Sequence, residues 1–416
     1  MAEVSAPVAP PSGVARLLAA GGGLREHLDC FGPLPVGVDV AAAADAAGLR
    51  GRGGAAFPTA VKLAAVARRR RPIVVANGTE GEPLSAKDKT LLVTAPHLVL
   101  DGVVLAAGAV GALEAVVCVE RAAPRVVAAL DAALSERADP LPISIAETPS
   151  RYVVGEETAL IHWLNGGDAK PTTVPPRPFE RGVSGRPTLV QNVETLAHLA
   201  LIARFGPSWF RSLGTAEDPG TALVTIGGGV ESPGVYEVEQ GSGLLATLRA
   251  AGLPDGPPPP VLVGGYFGTW LSPDAVAGAA LGPTALRGAG ASFGCGVLWA
   301  LPPDACGLAE TARVARWFAE QSAGQCGPCI NGLPAIARAL DAVVAGRSVP
   351  VALEHLERYA ALVTGRGACH HPDGAARLVT SALAVFEGEL RRHAGSGPCR
   401  ASRRHVLPIP AAGGWR

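Results

Sequence analysis

Five stretches of the sequence carry residues whose types and spacing could do chemistry, and the first is rich in glycine. Residues 48–62 read GLRGRGGAAFPTAVK. Glycines let backbone amides approach an anion, and the helix that Thr59 can cap adds its positive dipole end. Lys62 lies in the first turn of that helix and could reach a phosphate, with Arg50 and Arg52 nearby. An ordinary glycine-rich turn is the alternative, but the lysine and the arginines favour a phosphate or nucleotide site.

The second and third stretches place carboxylates beside apolar runs. Residues 77–89 follow a predicted buried strand and offer Asn77, Glu80 and Glu82 at its carboxyl end, where α/β sheets bind ligands. A solvated acidic turn is the alternative there. Glu156 and Glu157 come directly before an apolar helix, a position that the helix dipole alone would favour.

Amides and cysteines mark the last two stretches. Gln191 and Asn192 could bind the edge of a flat heterocycle, or belong to a polar loop that caps a helix. Cys326 and Cys329 form a C-x-x-C motif, and Cys369 follows 40 residues after the second of them. These thiols could bind zinc or an iron–sulfur cluster, form a redox dithiol, or be there by coincidence. Three cysteines do not fill a four-ligand site.

The apolar pattern predicts three parts that must position these stretches. Over residues 14–215, predicted strands at Ile73–Ala76 and Ala115–Val119 alternate with helices at 59–70 and 158–164, which indicates an α/β domain. Residues 221–305 carry short apolar runs between Gly and Pro clusters. They predict a small β-rich domain with a Pro-Gly turn within 230–237 and one helix at 243–251.

The third part, residues 308–393, is helical and predicts a bundle of modest size. Its four predicted helices are Thr311–Gln321, Leu333–Val343, Pro350–Thr364 and Gly374–His393. Residues 1–13 and 394–416 are predicted to be loose tails.

Composition excludes several classes of protein. The 36 basic residues balance 36 acidic ones, which argues against binding nucleic acid or an anionic membrane through bulk charge. The longest uninterrupted apolar run, Gly102–Leu113, is too short for the ~20 residues that span a bilayer. Eight cysteines in 416 residues are too few for a disulfide scaffold, and no secretory signal is recognisable. A reducing, cytoplasmic location is therefore expected.

Taken together and in this order, the five stretches resemble the NADH- and FMN-binding flavoprotein subunit of respiratory complex I. That family includes the diaphorase subunits of soluble hydrogenases and formate dehydrogenases. Its motifs G-L-R-G-R-G-G-x-G-F-P-T-G-x-K, N-x-D-E-G-E-P, G-E-E-T-A-L, G-x-P-T-x-V-N-N-V-E-T and E-S-C-G-x-C-x-P-C are matched between about residues 35 and 390. The resemblance implies an α/β flavin-binding domain, a small β-grasp domain of the soluble-ligand-binding type and a C-terminal four-helix bundle that carries a [4Fe-4S] cluster.

The resemblance also implies which residues bind each group. The FMN site falls on Gly51, Arg52, Gly53, Gly54, Lys62, Asn77, Glu80, Gly155, Glu156, Glu157, Asn192 and Thr195. In the family, NADH stacks on the flavin and gives it a hydride, and electrons then leave singly for the cluster. Lys62 would contact the phosphate of FMN. Phe57 would stack on the dinucleotide, and Glu82 and Glu157 would be its catalytic carboxylates. Cys326, Cys329 and Cys369 would hold the cluster.

The sequence departs from the family motifs at several positions. Thr79 replaces an aspartate, Ala56 and Ala60 replace loop glycines, and Gln191 replaces an asparagine. On the dinucleotide side, Ala65 and Arg177 stand where aromatics are expected, and Val174 stands for a lysine. At ~1–3 kcal/mol per lost stack, the two aromatic losses predict NADH binding weakened by ~10²- to 10⁴-fold.

Ala323 replaces the first cluster cysteine and leaves three thiols. Three outcomes stay open: a [4Fe-4S] cluster with a fourth ligand from Gln325, Ser322 or His370, a three-iron cluster, or an empty site with a dithiol.

These observations predict an intracellular FMN- and iron–sulfur-dependent electron-transfer subunit of the NADH-dehydrogenase type. It would work with other subunits of a complex, such as a ferredoxin-like or membrane subunit, and lie in the cytoplasm or peripherally at the inner face of a membrane complex. Direct membrane insertion and nucleic-acid binding are not expected. The alternatives are a flavoprotein that uses another donor such as ferredoxin, and a non-catalytic paralogue that acts as a binding or assembly module.

Overall fold

Four parallel strands form the first sheet of the computed structural model, which describes residues 13–416. They are β1 (Ile73–Gly78), β2 (Ala115–Glu120), β3 (Ile143–Thr148) and β4 (Thr188–Asn192), in the order β3-β2-β1-β4. The two predicted strands are confirmed as β1 and β2. β1 lies between β2 and β4, and its register sets Asn77 beside Asn192. The carboxyl ends of the strands therefore bring two predicted site residues together.

Nine helices accompany this sheet within the described residues. They are α1 (Leu24–Phe31), α2 (Val40–Ala47), α3 (Thr59–Ala67), α4 (Lys87–Thr94), α5 (Pro96–Val110), α6 (Pro124–Ser135), α7 (Glu157–Leu164), α8 (Val193–Phe205) and α9 (Pro207–Phe210). Side chains cap the two helices nearest the predicted site: Glu156 accepts from backbone N–H groups at the start of α7, and Asn192 does so at the start of α8.

A second sheet has five strands and mixed direction. Its strands are β5 (Thr221–Gly228), β6 (Gly234–Glu239), β7 (Val261–Val263), β8 (Thr269–Leu271) and β9 (Val297–Ala300), in the order β6-β5-β9-β7-β8. β5 and β6 form the antiparallel pair that the Pro-Gly turn predicted, and β5 runs parallel to β9.

Three helices accompany the second sheet, where the sequence predicted one. They are α10 (Leu244–Ala250), α11 (Pro273–Gly278) and α12 (Pro283–Gly288). The expectation of a single helix was wrong because α11 and α12 have six residues each, too few to show helical periodicity.

Five helices follow, where the sequence predicted four. They are α13 (Gly307–Glu320), α14 (Leu333–Val344), α15 (Val349–Val363), α16 (His371–Val385) and α17 (Glu387–Ser396). The last predicted helix is divided at Phe386, whose backbone leaves the helical conformation while its side chain is buried. Leu262, Tyr266 and Trp270 of the second sheet region share one apolar core with these helices.

The C-terminal segment is held along the protein surface, so the expectation of a loose tail was wrong. The backbone N–H groups of Val406 and Leu407 donate to the buried Glu310 carboxylate, at 3.1 and 2.6 Å. The Trp317 indole donates to the Pro410 carbonyl at 2.9 Å. Trp415 lies 4.0 Å from the Arg151 guanidinium, which stacks over its ring. The expectation of disorder for residues 1–13 falls almost wholly outside the described residues.

Among residues 13–416, no single helix is long and apolar enough to cross a membrane. The pair α4 and α5 passes that test together by length and composition, but it is bent by 96°. Most of α5 is buried against the rest of the protein.

Gly102 allows α5 and α8 to pack closely. A Cβ at this position would lie 2.0 Å from the carbonyl oxygen of Leu196 in α8. Gly108 lies in the same helix, and a Cβ there would meet nothing within 4 Å. At Gly102 the backbone of α5 lies against the backbone of α8. Neither backbone can move away from an added Cβ without separating the two helices.

We expect Gly102→Ala to destabilise the protein by at least the ~1–3 kcal/mol typical of overpacking. Gly108→Ala is the matched control, and it should be neutral or stabilise by up to ~1 kcal/mol because alanine is the better helix former. Thermal unfolding followed by circular dichroism measures both. Equal melting temperatures for the two variants would show that the helices separate easily.

Candidate functional site

The first part of the site lies where β1 and β4 end. The Asn77 amide donates to the Gly155 carbonyl at 2.9 Å and accepts from the Thr79 backbone N–H at 3.1 Å. The Asn192 amide donates to Asp88 at 2.8 Å. Thr79, which stands for the family aspartate, thus helps to orient Asn77. These contacts bring the second, third and fourth stretches of the sequence together.

The glycine-rich loop closes over the same edge of the sheet. Gly51 donates its N–H to the Phe57 carbonyl at 2.8 Å, and Arg52 donates its N–H to the Thr195 hydroxyl at 2.9 Å. A Cβ on Gly53 would lie 3.4 Å from the Asn192 Cβ, so a side chain there would fill this side of the loop. Gly54 forms a bridge with Gly294 of the second sheet region.

Ala56 adopts a backbone conformation that suits glycine better. Its φ of 50° is in the left-handed region, where an L-residue costs roughly 1–2 kcal/mol. This backbone conformation explains why the family motif has glycine at this position. The alanine therefore leaves strain in the loop.

Lys62 extends from α3 toward the start of α7. Its ammonium group lies 3.2 Å from a Glu157 carboxylate oxygen and 3.4 Å from the Val190 carbonyl oxygen. Both charged side chains are about one-third exposed, at 33% and 32%. This pair is therefore open to solvent at the site, where a bound anion could compete with Glu157 for the lysine.

Three predicted ligand-binding residues hold the protein together in this structure. The Arg52 guanidinium is buried, donates to the Thr221 carbonyl at 3.0 Å, and lies 3.8 Å from Glu194. The Glu80 carboxylate accepts from the backbone N–H groups of Asp88 and Lys89, both at 3.1 Å, at the start of α4. Thr195 is fully buried. Their side chains position the loop and α4.

Sequence reasoning missed a buried ion cluster beneath this site. The Lys87 ammonium lies 2.7 Å from Asp88 and 2.8 Å from Glu194, and all three groups are buried. Burial alone would raise the pKa of Glu194, but Lys87, His198 and Arg52 together outweigh it and lower that pKa to about 2. One signal was present in the sequence: Lys87 is one of only four lysines beside 32 arginines.

Glu82 lies apart from the solvent-exposed pair Lys62–Glu157, between the α/β part and the second sheet. Its carboxylate accepts from the Tyr152 hydroxyl and the Tyr266 backbone N–H, both at 2.8 Å, and from the Leu84 N–H at 3.2 Å. Burial raises the pKa of Glu82 to about 7, although these three hydrogen bonds oppose the shift. This carboxyl group can therefore gain or lose a proton near neutral pH.

The turn at residues 152–157 connects the site to α13, the helix that precedes Cys326 and Cys329. At one end, the Tyr152 ring meets Trp317 at 5.1 Å and Phe318 at 5.3 Å between ring centroids, both edge-on. At the other end, Gly155 and Glu157 contact Asn77 and Lys62 as described above. Burial raises the pKa of Cys369 to about 11, and the charge of Glu156 contributes to that increase. One short turn therefore borders both predicted sites.

The three predicted cluster cysteines lie in the same region of the helical part, but their sulfur atoms do not all lie within 4.8 Å of one another. Cys329 lies in a turn of π-helix, Pro328–Gly332, a conformation that occurs often at functional sites. Burial raises the pKa of Cys329, the Cys326 thiol adds to the increase, and the Ser322 hydroxyl opposes it. The charges of Cys326 and Cys329 likewise raise the pKa of Cys369. The thiols are therefore close enough to influence each other's ionisation.

The structure separates the three candidates for a fourth ligand. The Ser322 hydroxyl accepts from the Gly324 N–H at 3.1 Å and is near enough to the Cys329 thiol to lower its pKa. The His370 side chain is 93% exposed and pairs with Asp373 at 3.0 Å. Gln325 is exposed. Ser322 is the one of the three that is half-buried, while Ala323 is buried and offers no ligand atom.

The dinucleotide side is open and poor in aromatic surface. Phe57 is 45% exposed, and so is Val174. Arg177 is exposed, and its backbone N–H donates to Glu180 at 2.9 Å. Ala65 is half-buried in α3. Phe57 is thus the one predicted stacking residue present.

Two sequence profiles match the parts that carry these sites. Residues 44–201 match the Nuo51 FMN-binding domain, and residues 309–393 match the NADH-ubiquinone oxidoreductase-F iron-sulfur binding region. An NADH-quinone oxidoreductase F subunit of Rhizobium meliloti is 30% identical over 362 residues, which are 83% of this chain and 86% of that protein. The chain belongs to the family of NADH-quinone oxidoreductase F subunits.

Other members are similarly distant from this chain. The F subunit of the Escherichia coli NADH-quinone oxidoreductase is 30% identical, with 83% of this chain and 82% of that protein covered. The corresponding protein of Mycobacterium bovis is 30% identical, with 89% and 88% covered. Identities of this size describe a divergent member, as the substitutions in the motifs predicted.

Solved structures agree with the fold. The crystal structure of NAD⁺-reducing [NiFe]-hydrogenase in the H₂-reduced state superposes with a TM-score of 0.77 at 33% identity and covers 84% of this chain. The air-oxidized state superposes with the same TM-score at 32% identity and covers 90% of this chain. This chain spans 61% and 64% of the length of those two chains. The mixed α/β fold with a parallel sheet is thereby confirmed.

The raised pKa of Glu82 predicts a pH-dependent stability. The folded protein binds this proton more tightly than the unfolded chain does, because the pKa rises from an ordinary 4.5 to about 7. The stabilisation is therefore complete below about pH 4.5 and is lost as the pH rises to about 7. We expect the melting temperature of the wild type to fall between pH 5.5 and 8, and this fall to be smaller in Glu82→Gln.

Glu120→Gln is the control, because Glu120 pairs with Lys89 at 3.0 Å on a more exposed surface. Its pH profile should follow that of the wild type. Identical profiles for all three proteins would show that Glu82 ionises normally.

Proposed function

We propose that this chain is the electron-entry subunit of a larger oxidoreductase, taking electrons from NADH through FMN to an iron–sulfur cluster. The turn at residues 152–157 carries the proposal. It borders the proposed flavin site through Gly155 and Glu157, and α13, which precedes Cys326 and Cys329, through Tyr152. A subunit that transfers electrons between two cofactors needs them fixed on adjoining surfaces, and this turn supplies the connection.

The residues around the glycine loop fit FMN. Gly51, Gly53 and Gly54 leave room for a ligand to approach the backbone, and a Cβ at Gly155 would crowd the Thr79 carbonyl at 3.1 Å. Lys62 is the cation that is free to hold the phosphate, since Glu157 is its partner only at the solvent edge. Asn77 and Asn192 would hold the ring edge. Arg52, Glu80 and Thr195 would act from behind the loop.

When bound, FMN accepts a hydride from NADH and releases the electrons singly, and the chain supplies position and charge. Lys62 would neutralise the flavin phosphate. Glu157 would then be released from the lysine and could orient the dinucleotide, with Phe57 beside it. Glu82 would hold or release a proton behind the site, because its pKa is about 7.

Three cysteines and a serine form the proposed cluster site. Cys326, Cys329 and Cys369 supply three thiolates, and Ser322 is the fourth ligand that the arrangement favours. Thiolate donors suit iron–sulfur clusters, whose potential depends on the identity of each ligand. The π-helical turn at Cys329 would aim its thiol inward.

The domain division follows the same argument. We assign residues 14–215 to the FMN-binding domain, 221–305 to the β-grasp domain and 308–393 to the iron–sulfur domain. Parallel pairing of β5 with β9 supports the β-grasp assignment, and α13 to α16 support the four-helix bundle. The partner would be another subunit that receives electrons from the cluster, as in the multi-subunit enzymes to which the relatives belong.

Removal of Lys62 tests the FMN site. Lys62→Ala loses a charge-assisted contact worth ~1.5–3 kcal/mol, so we expect FMN to bind ~10- to 100-fold more weakly. Lys170→Ala is the matched control, since Lys170 is similarly exposed and also pairs with a carboxylate, Asp168, at 3.5 Å. Flavin fluorescence during titration of the apoprotein measures both. Unchanged affinity in Lys62→Ala would remove this residue from the phosphate site.

Restoring aromatic surface tests the dinucleotide side. We expect the wild type to need high NADH concentrations for flavin bleaching. The double variant Ala65→Phe with Arg177→Phe should lower the half-saturating concentration by at least ~10-fold, since each stack contributes ~1–3 kcal/mol. Ala64→Phe is the control, on an exposed neighbouring position of α3. Efficient bleaching of the wild type by micromolar NADH would contradict the prediction, whereas bleaching by reduced ferredoxin alone would favour another donor.

Restoring the missing cysteine tests the cluster. Ala323→Cys should increase iron and acid-labile sulfide and give a [4Fe-4S] signal in electron paramagnetic resonance of anaerobically purified protein. Ser322→Ala should lower the iron content of the wild type but not of the Ala323→Cys protein. Ala319→Cys adds a thiol on α13, outside the predicted cluster site, and should change neither the iron content nor the sulfide content. Iron absent from the wild type and present only in Ala323→Cys would rule out a native cluster.

A further inference from the structure

A second group of metal-binding side chains lies at the end of the helical part where α13 begins. The ligand atoms of Cys306, His393 and Cys399 all lie within 4.8 Å of one another. Cys306 Sγ is 3.7 Å from His393 Nε2 and 3.1 Å from a carboxylate oxygen of Glu389. Cys306 and His393 are almost completely buried, and Cys399 is half-buried.

The local structure explains why these donors converge. Glu389 and His393 are four residues apart on α17 and therefore share one face of that helix. Cys306 caps α13, and Cys399 precedes a short 3₁₀ turn that follows α17. The Cys399 backbone N–H donates to His393 Nε2 at 3.5 Å. Nε2 therefore carries its lone pair here, and a metal ion would replace the Cys399 N–H as the partner of that lone pair.

This group is separate from the proposed iron–sulfur site. α13 has 14 residues and is therefore about 21 Å long. Cys306 lies at its start, while Cys326 and Cys329 follow its other end. Cys369 likewise precedes α16, whereas His393 and Cys399 lie beyond the far end of that helix. The two groups occupy opposite ends of the helical part.

We propose that Cys306, His393, Cys399 and Glu389 bind one Zn²⁺ in a closed structural site. Two thiolates, an imidazole and a carboxylate are donors that zinc prefers, and four protein ligands complete its tetrahedral coordination. With bonds of 2.0–2.3 Å, tetrahedral ligand atoms lie roughly 3.3–3.8 Å apart. The Cys306–His393 spacing already falls in that range. Glu389 lies 3.1 Å from Cys306 Sγ but outside the group whose ligand atoms are within 4.8 Å of one another, so its carboxylate must move toward the other two ligands.

The charges also fit. Binding of Zn²⁺ releases the two thiol protons, and with the Glu389 carboxylate the site then carries one net negative charge. The amino-terminal end of α13 favours negative charge at this place. The Leu308 and Ala309 N–H groups donate to Glu389 at 3.1 Å and to Cys306 Sγ at 3.4 Å, so both ligands are already oriented. The metal would fix the start of the C-terminal segment that continues to Trp415.

Metal analysis of the full chain tests the proposal. Protein purified without chelator should contain one zinc per chain. The zinc content of the double variant, Cys306→Ser and Cys399→Ser, should be at least ~10-fold lower. Cys30→Ser is the control, because this half-buried thiol belongs to α1. Iron and flavin contents should be equal in all three proteins, which separates loss of zinc from misfolding and from failure of the cluster or flavin assignments.

Two further measurements keep the proposal testable if the double variant does not fold. After chelation, the wild type should take up Co²⁺ and show the visible bands of tetrahedral thiolate coordination, and Glu389→Gln should bind it more weakly. A wild-type protein that contains no zinc as purified and shows no such bands with Co²⁺ would overturn the proposal. So would a Cys306–Cys399 disulfide found by mass spectrometry, or iron content that falls in the double variant.

Discussion

The buried ion cluster of Lys87, Asp88 and Glu194 is the interaction on which the rest of the structure depends. Glu194 accepts from Lys87 and from the backbone N–H of Leu223 in β5, at 2.8 and 2.9 Å. Arg52 of the glycine loop lies on the other side of Glu194. One carboxylate therefore joins the loop, α4, α8 and the second sheet. Because an unpaired charge in this position would cost several kcal/mol, these four elements have one compatible arrangement.

That arrangement decides which side chains are free for ligands. Arg52 and Glu80 satisfy their charges within the protein, while Lys62 and Glu157 meet at the solvent edge. The substitutions in the family motifs are absorbed in the same way: Gln191 donates to the Thr59 hydroxyl at 3.2 Å and so fixes the start of α3. Thr79, which stands where the family motif has aspartate, contacts the Asn77 side chain. On the proposed assignment, different hydrogen bonds would maintain the flavin side, while the predicted dinucleotide side has fewer aromatic groups than the family motifs.

The helical part carries thiol-containing groups of side chains at its two ends, with apolar packing between them. The end near Tyr152 carries three thiols and meets the α/β part through an aromatic cluster that includes Phe267, Trp317 and Phe318. The opposite end carries Cys306, His393 and Cys399. Leu308, Leu340 and Leu378 are fully buried between the two ends. A rigid core of this kind holds both sets of side chains at fixed positions.

The sequence alone determined the family and the strands β1 and β2, and it supplied the candidate residues for the sites. These features are local patterns: glycine spacing, the strands β1 and β2, and the C-x-x-C motif. Local patterns can be recognised in a sequence because backbone geometry repeats along the chain. The break at Phe386, the position of the C-terminal segment and the contacts of Arg52 depended on the tertiary structure. A sequence shows that Arg52 is charged, but only the packing of β5 and α8 decides that its charge is buried. For the same reason the group at Cys306, whose donors are up to 93 residues apart in the chain, was visible only after folding.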